Sequence, residues 1–125
     1  MMQKTFLIVG TLLGGLGVAI GAFGAHGLRK MLAAAGRIDT FETAVKYQFY
    51  HALALLLVGI LYGSFPNKLV LNAGYAMIGG VGVFSGSLYI LCLTDMKWLG
   101  AVTPIGGILL IAGWGLLLTG LLKEG

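Results

Sequence analysis

The chain has 125 residues, of which 58% are hydrophobic and only 10% carry a charge. An average soluble domain carries roughly 25% charged residues, so this composition excludes an ordinary soluble protein. The net charge of +4 does not indicate a nucleic-acid partner, because the basic residues form no cluster on a soluble face. The single cysteine, Cys92, excludes a disulfide framework and is typical of a small buried hydrophobe.

Four long segments without charged residues divide the chain. They lie between residues 4 and 29, 46 and 68, 68 and 95, and 97 and 123. Each exceeds the roughly 20 residues that a helix needs to cross a bilayer, and an open sheet or a loop would leave backbone groups unpaired in lipid. We therefore predict an all-α fold, an integral membrane four-helix bundle. It forms one transmembrane domain over residues 1–125, with spans at about 5–27, 47–65, 69–94 and 98–122.

The first predicted span is rich in glycine and contains the run GTLLGGLGVAIGAFGAHG at 10–27. Glycine costs about 1 kcal/mol inside a soluble helix, but in lipid small residues let helices approach closely. The spacing of four and three residues predicts one packing stripe, formed by Gly10, Gly14, Gly17, Gly21 and Gly24. Two alternatives are a wall thinned to admit a ligand or pore, and a cleaved signal peptide, whose apolar core is typically shorter.

A polar connector follows the first span. Its apolar residues share one helical face, with Arg29 and Lys30 off that face; they are Leu28, Met31, Leu32 and Ala35. This pattern predicts a short amphipathic helix at the membrane interface, which Gly36 is suited to end.

The second span begins with a pattern typical of a capping box. Asp39 is the expected N-cap and Glu42 the third helical residue, so we predict a helix that begins near Thr40 and enters the hydrocarbon near Tyr47. In the fourth span, Thr103 is a candidate N-cap followed by Pro104 at the first helical position; otherwise Pro104 kinks a helix begun at 98.

Glycines also mark the third and fourth spans as packing helices. Gly82 and Gly86 lie four residues apart in the third. In the fourth, Gly106, Gly113 and Gly120 lie one heptad apart, a repeat that keeps one seam toward a neighbouring helix.

Charge asymmetry predicts the orientation. Four spans put both termini on one side, together with Lys4, Lys68 and Lys123. The opposite side has more basic residues: Arg29, Lys30, Arg37, Lys46 and Lys97. Cytoplasmic loops carry an excess of lysine and arginine, so we predict a multi-pass protein of the bacterial inner membrane whose termini face away from the cytoplasm.

The polar residues of the spans gather in one leaflet when the chain is folded into an antiparallel bundle. They are His26, Tyr47, Gln48, His51, Ser85, Ser87, Tyr89 and Thr103. Polar groups at membrane depth are costly and call for a hypothesis. Three remain open: an interhelical hydrogen-bond network, a ligand or proton site, and a bis-histidine metal or haem site. No activated nucleophile, paired carboxylates or phosphate loop is present, so we expect no enzymatic activity, and we expect no cofactor or metal.

Four motifs in order resemble a known family. They are GAFGAHGL at 21–28, FETAVKYQFYHALALL at 41–56, FSGSLYIL at 84–91, and TPIGG at 103–107 with a following Gly-Trp pair at 113–114. The chain is similar over essentially its whole length to a widespread family of small four-helix membrane proteins, YgdD-like in bacteria and with a small eukaryotic relative. The resemblance implies an integral membrane protein of unknown function and brings no catalytic or binding residues with it.

The sequence therefore predicts a non-enzymatic structural or ligand- or lipid-binding component of the membrane. We expect membrane lipids and further copies of the chain as partners, and no nucleic acid; the sequence names no small-molecule ligand. The alternative function is a small oligomeric transporter or channel for protons or a small solute, which would use His26, Gln48 and His51.

Overall fold

The computed structural model describes residues 2–124, with the side chains of 3–123. In this part of the chain all regular structure is helical: α1 Met2–His26, α2 Arg29–Ala35, α3 Ile38–Ser64, α4 Lys68–Thr94 and α5 Leu99–Glu124. All of these helices except α2 are long and apolar enough to cross a membrane. The structure thus confirms the predicted all-α class with four spans, and α2 lies where the short connector helix was predicted.

The junction between α2 and α3 explains where α3 begins. Gly36 adopts a left-handed conformation with φ 68°, as a glycine that ends a helix does. The chain turns straight into α3, whose N-cap is Arg37. The predicted capping box was therefore wrong: Asp39 lies in the first turn of α3, and its carbonyl accepts a hydrogen bond from Thr43 Oγ1 at 2.9 Å.

The start of α5 also differs from the predicted N-cap. The helix begins at Leu99 and contains Pro104, so the Thr103–Pro104 pair does not start it. The Thr103 hydroxyl instead donates to the carbonyl of Leu99 at 3.1 Å. Proline removes the hydrogen bond to the carbonyl four residues earlier. That carbonyl belongs to the exposed Gly100, near the helix end, where polar surroundings can satisfy it.

The four long helices form a row in the spatial order α1, α3, α4, α5. Each packs extensively against its neighbour in the row, whereas α1 touches α4 only narrowly, where the Phe6 ring fills the space beside Gly74. We call the end of the row that holds α2 and the α4–α5 turn the connector end. The opposite end, with both termini and the α3–α4 turn, is the terminal end.

The glycine stripe of α1 lies against α3. A Cβ at Gly10 would come within 2.8 Å of the Ala52 carbonyl oxygen, and a Cβ at Gly24 would collide with the Phe41 ring. Gly14, Gly17 and Gly21 complete this side of α1, facing Ala52, Gln48 and Val45 of α3 respectively. Only a residue without a side chain permits so close an approach at either end of the stripe.

The heptad glycines of α5 lie against α4 in the same way. A Cβ at Gly106 would collide with the backbone of Phe84, and one at Gly113 would lie 2.8 Å from Met77 Cγ. A Cβ at Gly120 would lie 2.7 Å from a methyl group of Val70. These contacts run along the whole length of α5.

The prediction was wrong for Gly82 and Gly86. A Cβ at either position would meet no atom within 4 Å in the part of the chain that is described. The close approaches of α4 use Gly74 and Gly80 instead, the latter against Leu110 of α5. Every fourth residue of a helix lies near the same face, but the four-residue spacing alone does not say which face meets a neighbour.

The buried apolar residues divide into clusters toward the two ends. At the terminal end the cluster includes Phe6, Leu55, Val58, Val70 and Met77. Toward the connector end two smaller clusters centre on Leu88 and on Leu32. The buried polar side chains, Gln48, His51, Ser85 and Ser87, lie on α3 and α4.

Candidate functional site

Gln48 joins three helices. Its Nε2 donates to the carbonyl of Leu13 on α1 at 2.8 Å, and its Oε1 accepts a hydrogen bond from the Tyr89 hydroxyl on α4 at 2.6 Å. The side chain is buried, and Gly17 of α1 lies beside its amide. A buried amide needs partners for both its donor and its acceptor, and here each is supplied by a different helix.

His51, midway along α3, uses both of its ring nitrogens. Nδ1 lies 2.8 Å from the carbonyl oxygen of Tyr47, and Nε2 accepts a hydrogen bond from Trp114 Nε1 on α5 at 3.1 Å. A carbonyl oxygen only accepts and an indole N–H only donates. The pairing therefore assigns the neutral tautomer with the proton on Nδ1. Tyr47 also stacks on the imidazole, with 6.2 Å between ring centroids.

The hydroxyl groups of the predicted cluster fasten α4 to both of its neighbours. Ser85 Oγ is buried and donates to the carbonyl of Ala44 on α3 at 2.8 Å. Ser87 Oγ lies 2.6 Å from Thr103 Oγ1 of α5 and 3.0 Å from the carbonyl of Phe84. Each serine therefore bonds to a different neighbouring helix.

The structure does not bring all eight predicted residues together. Gln48 and Tyr89 form one group, His51 and Tyr47 a second, Ser87 and Thr103 a third, and Ser85 bonds separately. His26 lies apart from all of them. It is exposed at the end of α1, and no hydrogen bond from its side chain is present in the described part of the chain.

Two polar residues outside the predicted set, Trp114 and Asn67, also make interhelical contacts. Trp114 lay in the family motif but carried no polar signal of its own, because tryptophan counts as a hydrophobic residue in the sequence pattern. Asn67 at the α3–α4 turn caps α4 through Val70 N and donates to the carbonyl of Gly120 on α5. An asparagine directly before an apolar run is a sequence signal for an N-cap, so this residue could have been found.

An ion pair closes the connector end. Arg37, the N-cap of α3, donates to Asp95 Oδ1 at 2.6 Å, across 58 positions of sequence. Asp95 ends α4 in a left-handed conformation with φ 56°. The hydrogen bond from Arg37 lowers the pKa of the Asp95 carboxyl below its usual value, because the bond favours the charged form.

The arrangement has the chemistry of a hydrogen-bond network. Within the described side chains, no group of three or more His, Cys, Asp or Glu residues is placed to hold a metal ion. Cys92 is buried beside Leu32 and Phe41, and its thiol lies 3.9 Å from the carbonyl of Arg37. It occupies the position of a small core residue.

The chain is similar to membrane proteins of several bacteria. A family model described as "Protein of unknown function (DUF423)" matches residues 20–107. The UPF0382 membrane protein of Staphylococcus saprophyticus is 46% identical over 122 residues, which covers 97% of this chain and 99% of that protein. The UPF0382 membrane protein YwdK of Bacillus subtilis is 42% identical over 113 residues, covering 90% of this chain and 91% of the relative. No solved structure matches. These matches confirm the resemblance to small membrane proteins of unknown function.

Proposed function

Since this chain belongs to the DUF423 family of unknown function, whose matched relatives are named only as membrane proteins, we propose a role from its own geometry. We infer that it is a non-enzymatic structural component of the bacterial plasma membrane, in which polar side chains hold the helices in register. We further propose that it groups with the YgdD-like proteins, that its connector end is cytoplasmic, and that it needs no cofactor.

The observation that carries this proposal is the pairing of His51. Its Nδ1 proton bonds to the Tyr47 carbonyl and its Nε2 lone pair accepts from Trp114. A second proton on Nε2 would face the indole N–H and break that bond. A proton relay through the imidazole would therefore have to break an interhelical contact at every transfer. The pairing supports a structural role over a transport role.

The placement of His26 also favours the structural role over the transporter or channel. A path through His26, Gln48 and His51 would need these side chains within reach of one another or of a shared water chain. His26 is exposed at the connector end, whereas the Gln48 amide is occupied by Leu13 and Tyr89. The separation of these groups supports a role without conduction.

The hydroxyl groups likewise support a role without catalysis. A serine nucleophile is activated by a base that takes its proton. The Ser85 hydroxyl donates a hydrogen bond to a backbone carbonyl, and the Ser87 hydroxyl bonds to Thr103 and to a carbonyl of its own helix. Neither serine bonds to an imidazole or a carboxylate among the described residues.

The outer faces of the row support lipids and further copies of the chain as partners. α1 and α5 each pack on one side only, and large apolar side chains cover their other sides; on α5, Ile108 and Ile111 are 67% and 73% exposed. In a membrane such faces meet acyl chains or a second transmembrane surface. We propose a homo-oligomer in contact with lipid, without nucleic acid.

The test is proton flux in vesicles loaded with a pH-sensitive dye. Vesicles containing the purified protein should leak protons no faster than empty vesicles under an imposed pH gradient, and the His51→Gln variant should behave identically. Flux above the empty control that His51→Gln abolishes, while the variant stays folded, would overturn the structural role. Gramicidin serves as the positive control.

A further inference from the structure

Two cavities adjoin on the outer side of α1 and α3. The first has a volume of about 230 Å³ and lies at the connector end between α1, α2 and α3, with Arg29, Glu42 and Lys46 among its lining residues. The second, of about 360 Å³, continues along the two helices and is lined by apolar residues such as Val18 and Phe49. The two share Gly21, Val45 and Lys46, so together they form one groove with a charged end and an apolar end.

The small residues of α1 create the groove. Gly17, Gly21 and Ala22 line the apolar cavity from α1, while Phe49 and Tyr50 form its opposite side on α3. Apart from Val18, the α1 residues that line this cavity have no side chain beyond a methyl group, so the space beside the aromatic rings stays open. An apolar channel open toward the bilayer is shaped for a hydrocarbon chain.

The charged end has two basic lining residues, Arg29 and Lys46, against one acidic residue, Glu42. Neither Arg29 nor Lys46 forms an ion pair with a carboxylate in the described part of the chain, although Glu42 lies one turn before Lys46. Lys46 lines the groove beside Gly21, and α1 continues five residues beyond that point to His26, a distance of roughly 7–8 Å along the axis. A cation at this level, next to the predicted entry of α3 into the hydrocarbon near Tyr47, is stabilised when an anionic headgroup meets it.

From this charge pattern and shape we propose that the groove binds one anionic glycerophospholipid. Its phosphate would lie between Arg29 and Lys46, and one acyl chain would follow the apolar cavity past Phe49. Guanidinium and ammonium groups both bond to phosphate oxygens. A glycerol headgroup would offer hydroxyl donors to Glu42, which a choline headgroup lacks. This assignment deepens the proposed membrane role and rests on it only in that both require the chain to lie in a bilayer.

The experiment is native mass spectrometry of the purified protein in detergent with one added lipid at a time. Dioleoylphosphatidylglycerol should give a single retained adduct per chain, and dioleoylphosphatidylcholine should bind about tenfold more weakly, as expected for the headgroup contacts that choline cannot make. Equal or tighter retention of phosphatidylcholine or phosphatidylethanolamine would overturn the assignment to an anionic lipid. Inorganic phosphate added as a competitor should not displace the adduct; if it does, the charged end binds phosphate alone.

Matched variants locate the site. The Arg29→Gln/Lys46→Gln double variant should weaken retention of phosphatidylglycerol about tenfold, whereas Lys30→Gln/Lys97→Gln, with the same loss of charge outside the groove, should retain it. Ala22→Phe should block the apolar cavity, and Ala19→Phe on the exposed side of α1 is its control. Equal retention by each variant and its control would overturn the site.

The outcomes also separate this site from its alternatives. If Ala22→Phe changes the oligomeric state and leaves lipid retention intact, the groove is an interface between copies of the chain and the lipid site is wrong. Loss of the lipid adduct has no bearing on proton flux through vesicles, so failure here and failure of the structural role are read by different measurements.

Discussion

Trp114 of α5 donates its indole N–H to Nε2 of His51 on α3, across 3.1 Å. These two helices are not neighbours in the row, since α4 lies between them in the packing order. The bond therefore ties the edge helix α5 to α3, which lies inside the row. It also holds the imidazole in its neutral form.

Two substitutions of His51 should destabilise the protein to different degrees. His51→Leu should lower the free energy of unfolding by about 1–3 kcal/mol, because it leaves the indole N–H without an acceptor. His51→Gln should cost less, because its amide oxygen can reach the position of Nε2. Thermal melts in detergent measure both, and an equal loss for Leu and Gln would mean that the hydrogen bond contributes nothing.

A double-mutant cycle isolates the pair. Trp114→Phe keeps an aromatic ring and removes the donor, and it should cost about 1 kcal/mol. Combined with His51→Leu, the losses should fall short of additivity, because both changes remove the same bond. Strict additivity would contradict a direct interaction.

The glycine contacts predict a sharp contrast among single alanine substitutions. Gly10→Ala and Gly106→Ala should destabilise by about 1–3 kcal/mol, because the added methyl group meets backbone atoms that cannot move aside. Gly15→Ala and Gly82→Ala meet open space and should be neutral or stabilising by up to about 1 kcal/mol, the helix preference of alanine. Similar melting temperatures for the two pairs would contradict close packing through glycine.

The Gln48 group predicts a second coupled pair. Gln48→Leu should cost about 1–3 kcal/mol, since it leaves the half-buried Tyr89 hydroxyl without its acceptor. Tyr89→Phe removes the hydroxyl along with its need for a partner and should cost about 1 kcal/mol. In the Tyr89→Phe background, Gln48→Leu should become less costly. The cost is measured by denaturation in detergent. An unchanged cost would mean that the Tyr89 hydroxyl does not account for the effect of Gln48→Leu.

How far the sequence predicts this fold depends on whether a feature is local. The stripe of α1 follows from the spacing of its glycines, because residues three and four apart share a face. The partner helix of that stripe and the open space at Gly82 depend on long-range packing, which spacing does not encode. The misassigned cap at Asp39 has the same origin: Arg37, which is the N-cap of α3 instead, is held by a residue 58 positions away.

The sequence predicts which residues belong to the candidate site better than it predicts their hydrogen-bond partners. Polar side chains in an apolar chain are conspicuous, and six of the eight predicted residues form side-chain hydrogen bonds: Gln48, His51, Ser85, Ser87, Tyr89 and Thr103. The acceptors of several of these bonds are backbone carbonyls, such as that of Leu13. Every residue has such a group, so no sequence pattern marks it.

The ion pair at the connector end predicts a dependence of stability on pH. The hydrogen bond from Arg37 lowers the pKa of Asp95 in the folded protein below its ordinary value of 3.8. The stabilisation is therefore fully present above that ordinary value and is lost as the pH falls through the lowered pKa. Asp95→Asn tolerates the left-handed conformation and should flatten this part of the profile in melts between neutral and acidic pH. If the variant loses stability at acidic pH as much as the unchanged protein does, Asp95 is not the cause of that loss.

The proposed orientation predicts an asymmetric labelling pattern. In a Cys92→Ala background, a membrane-impermeant maleimide applied to intact cells should label Lys123→Cys and not Ala35→Cys, both of which are at exposed positions. Ala35 is chosen because the adjacent Gly36 has a positive φ, which a cysteine would strain. The reverse pattern would put the connector end outside the cell.

The order of the helices in the row has a consequence for biogenesis. Each spanning helix packs against the one that the ribosome makes next: α1 with α3, α3 with α4, and α4 with α5. Contacts between elements close in sequence form at little entropic cost, so each spanning helix after the first leaves the translocon with one packing partner already in the membrane. Assembly can thus keep pace with synthesis, and the last helix completes the molecule by docking its glycine seam onto the helix inserted just before it.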